Sequence, residues 1–391
     1  MTCSIPEPTE PTHALPAVLT TRLQPDARRL ADMTTIAVGG KVRSFENLSF
    51  EAEIIAAVTE ADRSGEEVLV IGGGSNILAS DADFPGVVVH DDRVSIEILS
   101  EDSCGGAQMR VTAGTPWDAV VVFAIEHGWM GLEGLSGIPG TVGAAPVQNI
   151  GAYGQEVAGT IASVRTFDRK SGTIRTFFAA DLKFGYRHSI LKESLLSGEW
   201  GATPRWIVLD VVFHLRRATL SEPIRYAQLA QKLGVDAGER VPASDVRSAV
   251  IELRRSKGMV LDAVDRDTFS LGSFFTNPIL SEEQAAALPD DAPKYGVGKS
   301  GGANQIGAAA PQIEGQVKTS AAWLIDHAGF KPGFGMPGPA AVSTKHSLAL
   351  TNRGEASASD VVSLAQTIRD GVRERFGVTL VPEPVLVNVT I

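Results

Sequence analysis

The sequence has 391 residues, 43% of them hydrophobic, which is more chain than one hydrophobic core usually organises, so two or three domains are predicted. Its formal charge of -11 excludes a sequence-independent grip on nucleic acid or on anionic membranes, because both need basic patches. The two cysteines, Cys3 and Cys104, are too few for a disulfide framework or a cysteine-rich metal site, and they fit a reducing, cytoplasmic setting.

Residues 1–33 are predicted to be a poorly ordered, proline-rich extension. Five prolines fall within the first 25 residues, and the segment has no sustained apolar core. Neither a signal peptide nor a membrane-spanning helix is therefore indicated. The seven histidines are scattered without a pair at metal-ligand spacing, so no metal site is predicted.

The next part of the chain mixes strands with a few helices. Capping residues, terminal glycines and apolar periodicity predict these elements. They are a helix capped by Ser49 and ended near Gly65, strands at 68–71 and 86–90, a helix begun by Thr115-Pro116 and ended by Gly128, a hairpin of 161–167 with 173–178, and a strand at 206–215.

Beyond about residue 218 helical patterns predominate, and we expect a domain boundary there. The predicted elements are a helix from a Ser244 cap to Lys257, a helix capped by Ser281, helices at 319–327 and 359–376, a Gly- and Ala-rich loop at 295–312, and a terminal strand at 385–391. Several consecutive strands between helices predict an α+β fold.

A glycine-rich segment is the most informative local feature. Five glycines recur at every third position from Gly131 to Gly143, and Gln148-Asn-Ile-Gly-Ala-Tyr-Gly154 follows. The triplet period is too short for collagen, and the intervening residues are too apolar for a flexible linker. Successive backbone amides in such turns bind anions, so a phosphate or pyrophosphate is the expected guest.

A second glycine-rich loop, Gly72-Gly-Gly-Ser-Asn76, directly follows the strand predicted at 68–71. A classical dinucleotide-binding turn is disfavoured, because Ile77 occupies the position of its third glycine and no crossover helix follows. The loop still offers backbone amides and the side chains of Ser75 and Asn76 to a phosphate. Two such loops in one domain suit a ligand with two phosphates.

Three further motifs have structural interpretations when each is taken alone. Ser273, in Gly272-Ser-Phe-Phe-Thr-Asn-Pro278, could be a cap or a hydrogen-bonded turn residue, and no nucleophile elbow surrounds it. Tyr186-Arg187 could end a surface strand, and Glu383, between two prolines, could be solvated. Local sequence alone assigns none of them to a site.

Together these motifs resemble the flavoprotein family of UDP-N-acetylenolpyruvoylglucosamine reductases, over about Thr34 to Val389. The matching blocks stand in family order: Thr35-Ile-Ala-Val-Gly-Gly40, Ile71-Gly-Gly-Gly-Ser-Asn-Ile77, Gly134-Leu-Ser-Gly-Ile-Pro-Gly-Thr-Val-Gly-Ala144, Gln148-Asn-Ile-Gly-Ala-Tyr-Gly154, Tyr186-Arg187, Gly272-Ser-Phe-Phe-x-Asn-Pro278, Ala322-Trp-Leu-Ile-Asp326 and Leu380-x-Pro-Glu383. The departures are Thr34 for the family's asparagine, Thr276 for its usual lysine, Pro384 for its usual valine, and a longer segment between Lys257 and Ser273.

The resemblance implies a vanillyl-alcohol-oxidase-type FAD-binding domain at 34–218, with subdomains of about 34–90 and 91–218, and an α+β substrate-binding domain at 219–391 whose last strand packs back near the flavin. It further implies FAD-binding residues in both loops and on one helix. These are Gly72, Gly73, Gly74, Ser75, Asn76, Ser136, Gly137, Ile138, Pro139, Gly140, Thr141, Gly143, Ala144, Asn149, Gly151, Tyr153, Gly154 and Arg254.

The implied reaction is the NADPH-dependent reduction of UDP-N-acetylglucosamine enolpyruvate to UDP-N-acetylmuramate, a cell-wall precursor. Apart from the resemblance, a cytoplasmic monomer is the simplest expectation. Hydride passes from flavin N5 to C3, and Ser273 matches the proton donor to C2. Arg187 and Glu383 match the residues that stabilise the enolate. Because an ionised Glu383 would repel the substrate's carboxylate, we expect it to be protonated or bridged by a donor.

The same resemblance implies residues that hold the nucleotide-sugar substrate. They are Tyr186, Arg187, Tyr226, Lys257, Asn277 and His346. Tyr226 matches a tyrosine loop that closes over the ligand in one subtype of the family. Two rival classes remain open at this point: another FAD-linked oxidoreductase of the same fold, and a nucleotide-sugar-binding protein without flavin.

Overall fold

The computed structural model describes residues 18, 19, 21–24, 26–102, 104–298 and 312–391. In these ranges the strands are β1 (Val42–Leu48), β2 (Val68–Ile71), β3 (Ile77–Ala79), β4 (Phe84–Asp91), β5 (Ile96–Asp102), β6 (Gly106–Thr112), β7 (Trp129–Met130), β8 (Gly151–Ala152), β9 (Gln155–Glu156), β10 (Ile161–Asp168), β11 (Thr173–Phe178), β12 (Trp206–Arg217), β13 (Ile279–Ser281), β14 (Lys294–Gly298), β15 (Gln312–Thr319), β16 (Ala340–Val342), β17 (Leu350–Asn352) and β18 (Val385–Val387). The helices are α1 (Glu51–Ser64), α2 (Trp117–Glu126), α3 (Ile190–Leu196), α4 (Ala227–Leu233), α5 (Ala243–Ser256), α6 (Glu282–Ala286), α7 (Ala321–His327) and α8 (Ala358–Phe376). Within these ranges no helix combines the length and apolar character needed to cross a membrane.

A three-stranded parallel sheet, in the order β1-β4-β2, forms the first layer. Helix α1 covers it, and Ile54 and Val58 of the helix pack in one core with Val87 and Val89 of β4. The helix ends as predicted, because Gly65 adopts a left-handed φ of 70° and returns its N–H to the last turn. Strand β2 of this sheet leads directly into Gly72, Gly73 and Gly74.

The second layer is an antiparallel sheet in the order β11-β10-β12-β6-β5, with β7 on the end of β12. The predicted hairpin is confirmed, since β10 and β11 pair from Ser163↔Phe178 to Asp168↔Thr173. Trp117 and Val121 of α2 are buried in the core beneath this sheet. The glycine-rich segment from Gly131 to Gly154 follows α2 and contributes to the same core.

A third core joins helices α7 and α8 to two small sheets, β13-β15-β14 and β16-β17. Phe274 and Phe275 are fully buried in it, so the residue before them, Ser273, is held against a rigid base. The final strand β18 pairs in parallel with β3, from Val385↔Ile77 to Val387↔Ala79. The end of the chain therefore lies beside Ile77–Ala79, a few residues after Gly72–Gly74.

The ordered fold begins before the predicted start at Thr34. Ala27, Leu30 and Met33 are buried in a core with β2 and β4. The end of the predicted extension, from Ala27 to Met33, therefore belongs to the folded domain. Residues 1–17, 20 and 25 of that extension lie outside the described residues. In the predicted loop at 295–312, Tyr295 to Gly298 instead form the end of β14, and 299–311 lie outside the described residues.

Three helix starts differ from their predicted caps. The capping residues are Phe50, Pro116 and Pro242 in place of Ser49, Thr115 and Ser244, and none of the three makes a side-chain cap bond. Helix α8, predicted at 359–376, begins at Ala358, and Ser357 caps it through a capping box with Asp360. The Ser281 cap is confirmed, with Gln284 completing its capping box.

Candidate functional site

The two glycine-rich loops line one cavity and touch each other across it. A Cβ at Gly72 would lie 2.3 Å from Thr141 Oγ1, and one at Gly140 would lie 3.0 Å from Ser75 Oγ. The Ser75 hydroxyl donates to the Pro139 carbonyl at 3.2 Å, which fixes the two loops to each other. Side chains larger than hydrogen would fill this space, so the backbone itself forms the wall.

Most of the predicted FAD-binding residues lie on this wall. They are Gly72, Gly73, Gly74, Ser75, Asn76, Ile138, Pro139, Gly140, Thr141, Gly143, Ala144, Gly151 and Arg254. Trp206 also lines the cavity, and its buried Nε1 has no hydrogen-bond partner in the described part of the chain. A glycine-walled cleft with an unused buried donor fits an elongated cofactor with phosphates and heterocyclic acceptors.

We expect Gly74→Ala to cost the protein its cofactor and part of its stability. Gly74 has a φ of 61°, and a Cβ there would lie 1.9 Å from the Met33 carbonyl oxygen. Overpacking and a left-handed alanine together cost about 2–4 kcal/mol. Flavin absorbance per chain and the melting temperature measure both losses. Gly159→Ala is the matched control, since Gly159 has a permitted φ and nothing within 4 Å, and an equal loss there would contradict the explanation.

A buried ion pair holds the glycine turn at Gly137 in place. Asp118 on α2 and Arg247 on α5 form two hydrogen bonds of 2.7 Å, and Asp118 Oδ1 also accepts the Gly137 N–H at 2.6 Å. From the other side, Arg254 Nε donates to the Gly137 carbonyl at 3.1 Å. Because Gly137 has a φ of 69° and packs on Ile251, the turn is fixed through both its polar groups.

Ser273 and Glu383 are brought together by two chain segments that run side by side. Phe275 pairs with Pro382, and the Glu383 N–H donates to the Phe274 carbonyl at 2.9 Å. Both Ser273 and Glu383 line the cavity. No described residue hydrogen-bonds to the Ser273 hydroxyl, so this group is available to a ligand.

Arg187 lies on a tight turn that enforces an unusual backbone conformation. Gly185 and His188 exchange backbone hydrogen bonds of 3.0 and 3.1 Å, and Arg187 between them has a φ of 52°. A left-handed conformation is costly for an arginine, and such strain is concentrated at functional positions. The turn directs the guanidinium to the cavity wall, where it donates to the carbonyls of Gly151 at 2.8 Å and Asn149 at 3.4 Å.

A hydrogen-bonded chain of four side chains crosses the cavity wall. Arg187 Nε donates to Glu383 Oε1 at 2.9 Å, and Gln148 Nε2 reaches the same oxygen at 3.4 Å. Gln148 Oε1 in turn accepts from Asn76 Nδ2 at 2.8 Å. Glu383 is thus bridged by donors, one of the two states expected for it. These hydrogen bonds also link the Gly72–Asn76 loop to Glu383, near the end of the sequence.

Tyr186, a predicted substrate residue beside Arg187, contacts a second one, Asn277. The Tyr186 hydroxyl accepts the Asn277 N–H at 3.2 Å, and Asn277 Oδ1 accepts the Ala321 N–H at the start of α7. Burial is the largest cause raising the pKa of Tyr186, so its hydroxyl stays protonated at neutral pH. Lys318 Nζ stands 4.9 Å from the centre of the same ring. These contacts form a polar, cationic patch.

The other predicted substrate residues form a second cluster, around Lys257. Lys257 Nζ donates to Gln228 Oε1 at 2.6 Å and lies 5.8 Å from the Tyr153 ring. Tyr153 and Tyr226 meet edge to face at 5.4 Å. Tyr153, predicted to bind FAD, therefore packs against the predicted substrate residues instead of lining the glycine-walled cavity. Tyr226 is exposed and precedes α4.

His346 makes the stability of the protein sensitive to acid. Burial, followed by the positive charges of Lys257 and Arg254, lowers the pKa of His346 to about 4. The unfolded chain, with a histidine pKa of about 6.5, binds more protons between these values. Stability from the neutral imidazole is therefore present above that range and is lost as pH falls through it.

We expect His346→Asn to flatten the fall in unfolding free energy between pH 6.5 and pH 4, measured by urea unfolding at several pH values. Lys257→Met should flatten it partly, because loss of the neighbouring charge moves the pKa of His346 back up. Parallel pH profiles for wild type and His346→Asn would contradict this account.

Several predicted residues lie off the cavity wall. Ser136 and Asn149 are fully buried, and their side chains bond the protein itself, through Glu133 O and through Gly185 O and Glu156. Those outside the wall are Ser136, Gly137, Asn149, Tyr153, Gly154, Tyr186, Tyr226, Lys257, Asn277 and His346. Sequence reasoning also gave no role to Gln148 or to Lys192, although both line the cavity. Gln148 stands in a quoted motif, and Lys192 follows the Tyr186-Arg187 pair on α3.

The fold and the cavity together define a flavin-dependent oxidoreductase with an FAD-binding domain followed by a second α+β domain. A family model described as an FAD binding domain matches residues 48–177, and one described as the C-terminal domain of UDP-N-acetylenolpyruvoylglucosamine reductase matches residues 264–387. The chain belongs to the UDP-N-acetylenolpyruvoylglucosamine reductase family.

Relatives of that name cover almost the whole chain. The protein from Thermobifida fusca is 47% identical over 93% of this chain and 97% of its own length. That from Cutibacterium acnes is 50% identical over 93% of this chain and 90% of its own. The crystal structure of the reductase from Thermus caldophilus shares the fold, with a TM-score of 0.58 and 24% identity over 92% of this chain and 97% of that one. The predicted family and α+β fold are confirmed.

Proposed function

We propose that this chain reduces UDP-N-acetylglucosamine enolpyruvate to UDP-N-acetylmuramate with electrons from NADPH, as a step of peptidoglycan precursor synthesis. One observation carries the proposal. Ser273, Arg187 and Glu383 come from three distant parts of the sequence and line the same cavity as both glycine loops. Family membership supports the same reaction, since the relatives bear the name of this reductase.

The glycine loops would hold FAD by its pyrophosphate, through the backbone amides of the Gly72–Gly74 and Ile138–Thr141 segments. When bound, FAD would take electrons from NADPH and supply hydride to the vinyl carbon C3 of the substrate. Asp118 and Arg254 hold the turn at Gly137, which keeps the Ile138–Thr141 segment in place beside the Gly72–Gly74 segment. Orientation by the protein is therefore built into the loops before any ligand arrives.

Arg187 and Glu383 act on the charge that develops on the substrate. Hydride addition at C3 pushes negative charge toward C2 and the adjacent carboxylate, which needs preorganised donors. The guanidinium of Arg187 is held by Glu383 and two backbone carbonyls, so it does not reorganise during the reaction. Ser273 then delivers a proton to C2, and its hydroxyl adds no fixed charge beside the enolate.

The two clusters outside the glycine wall would bind different parts of the substrate. Lys257, with Tyr226 and His346 nearby, supplies a cation and aromatic surface for the diphosphate and the sugar. Tyr186 lies next to Arg187 and accepts a hydrogen bond from Asn277, and these two residues orient the enolpyruvyl end. We propose that the enzyme works as a cytoplasmic monomer, which the acidic composition and the low cysteine count support.

Anaerobic half-reactions test this function. Purified protein should carry FAD, NADPH should bleach its visible absorbance, and the enolpyruvyl nucleotide sugar should restore it with one product molecule per flavin. The same nucleotide sugar without the enolpyruvyl group is the control and should leave the flavin reduced. Protein without flavin would favour a nucleotide-sugar-binding protein, and reoxidation only by other acceptors would favour a different FAD-linked oxidoreductase.

A further inference from the structure

One of the charged side chains that line the cavity differs from the others in having no protein partner among the described residues. These charged side chains are Asp91, Arg187, Lys192, Arg254 and Glu383. Four of them have protein partners: Arg93 for Asp91, Glu383 and Arg187 for each other, and the carbonyls of Gly137 and Met259 for Arg254. Lys192 has neither a hydrogen bond nor an ion pair from its ammonium group to any described residue. Its charge is left for a ligand.

Lys192 is held in this position by the first turn of α3. Ser189 caps the helix by accepting the Lys192 N–H at 3.2 Å, and the Ser189 hydroxyl donates to the Val147 carbonyl. The turn carrying Arg187 comes immediately before. Burial lowers the pKa of Lys192, Glu383 opposes that shift, and Arg187 adds to it, so these two residues are its charged neighbours. A half-buried ammonium group therefore shares the cavity with the Arg187–Glu383 pair.

The charges at this end of the cavity do not balance the proposed substrate. Arg187 and Glu383 neutralise each other, since an ion pair of 2.9 Å joins them. The substrate brings a carboxylate, and hydride addition adds a second negative charge as the enolate develops. In a partly desolvated site such charge needs a net cation nearby. Among the charged side chains of the wall only Lys192 can supply it without losing a protein partner.

We propose that Lys192 is a further catalytic residue, whose ammonium group binds the carboxylate of the enolpyruvyl substrate and stabilises the enolate formed from it. This inference rests on the proposed function. Lys192 supplies the net positive charge, while the Arg187–Glu383 pair orients the substrate carboxylate. The assignment removes the conflict between Glu383 and the substrate carboxylate, because the group of three then carries one positive charge.

The test compares the two half-reactions in Lys192→Met, Lys192→Arg and wild type, with Lys170→Met as the matched control. Lys170 is exposed on the hairpin turn and outside the cavity, so its loss changes net charge equally. In Lys192→Met, flavin reoxidation by the enolpyruvyl substrate should slow about 100-fold, in the range found on removing one preorganised donor. Flavin content, flavin reduction by NADPH and midpoint potential should match wild type.

A pH profile separates this role from a structural one. The reoxidation rate of wild type should fall at alkaline pH as Lys192 loses its proton, at a pH below the usual lysine range because burial lowers its pKa. Lys192→Arg should keep much of the rate and move that fall to higher pH, and Lys192→Met should lack it.

A changed midpoint potential or flavin content with normal reoxidation would assign Lys192 to the flavin and overturn the proposal. Unchanged kinetics in Lys192→Met would overturn it as well. If the enolpyruvyl substrate did not reoxidise even wild type, the proposed function itself would fail, and this inference with it.

Discussion

Ser273→Ala should leave flavin reduction by NADPH within about threefold of wild type and slow reoxidation by the enolpyruvyl substrate by about 10³-fold, within the 10²–10⁴ range of a lost general acid. The Ser273 hydroxyl lies on the cavity wall and has no hydrogen-bond partner among the described residues. The adjacent Phe274 and Phe275 are fully buried and hold the backbone in place. Removing the hydroxyl therefore deletes a proton donor without creating a cavity or an orphaned group.

Anaerobic stopped-flow absorbance of the flavin measures the two half-reactions separately. Because no protein contact is lost, the melting temperature should stay within about 1 °C of wild type, which for a chain of this size corresponds to less than about 1 kcal/mol. Ser273→Cys, which keeps an ionisable proton at the same position, should recover part of the reoxidation rate. Equal slowing of both half-reactions in Ser273→Ala would show that Ser273 positions the cofactor instead of protonating C2.

Local sequence was sufficient to predict elements whose signals lie within a few residues. The hairpin of β10 and β11 and the end of α1 at Gly65 follow from alternation and from a left-handed glycine. Other local features depend on distant contacts, since the first N–H groups of α8 are bound by a carboxylate far away in the sequence. Asp81 accepts from Ala358 N at 2.7 Å and from Ser359 N at 3.0 Å. No pattern near residue 358 encodes that contact.

The candidate site was predictable as a set of motifs but not as an arrangement. The glycine spacing indicated backbone binding of an anion, and family motifs singled out Ser273, Arg187 and Glu383. Sequence could not indicate that Gln148 joins Asn76 to Glu383, since that chain depends on the pairing of β18 with β3. The role of Lys192 could not be predicted from the sequence for a similar reason. Only the folded structure indicates that Lys192 lines the cavity and that its ammonium group has no hydrogen-bond or ion-pair partner among the described residues.

The pair of Arg187 and Glu383 should behave as one unit, and a double-mutant cycle gives the second large expected effect. Arg187→Lys and Glu383→Gln should each slow flavin reoxidation by about 10²–10³-fold, because each weakens the ion pair that fixes the remaining partner. The double variant should be no slower than the slower single one, since residues that act together have non-additive effects. Lysine can adopt the same left-handed backbone as Arg187, so strain at φ 52° is held constant across the cycle.

The hydrogen bonds of Arg187 and Glu383 determine which interaction the double-mutant cycle measures. Arg187 Nε and Glu383 Oε1 are 2.9 Å apart, and the other guanidinium nitrogens bond the Gly151 and Asn149 carbonyls. A lysine cannot make all of these bonds at once, so the glutamate loses its fixed donor even though a positive charge remains. Glutamine at 383 keeps the acceptor oxygen but removes the charge that orients the guanidinium. If the two single losses multiplied in the double variant, Arg187 and Glu383 would act on the substrate independently, and the hydrogen bond between them would have no part in the reaction.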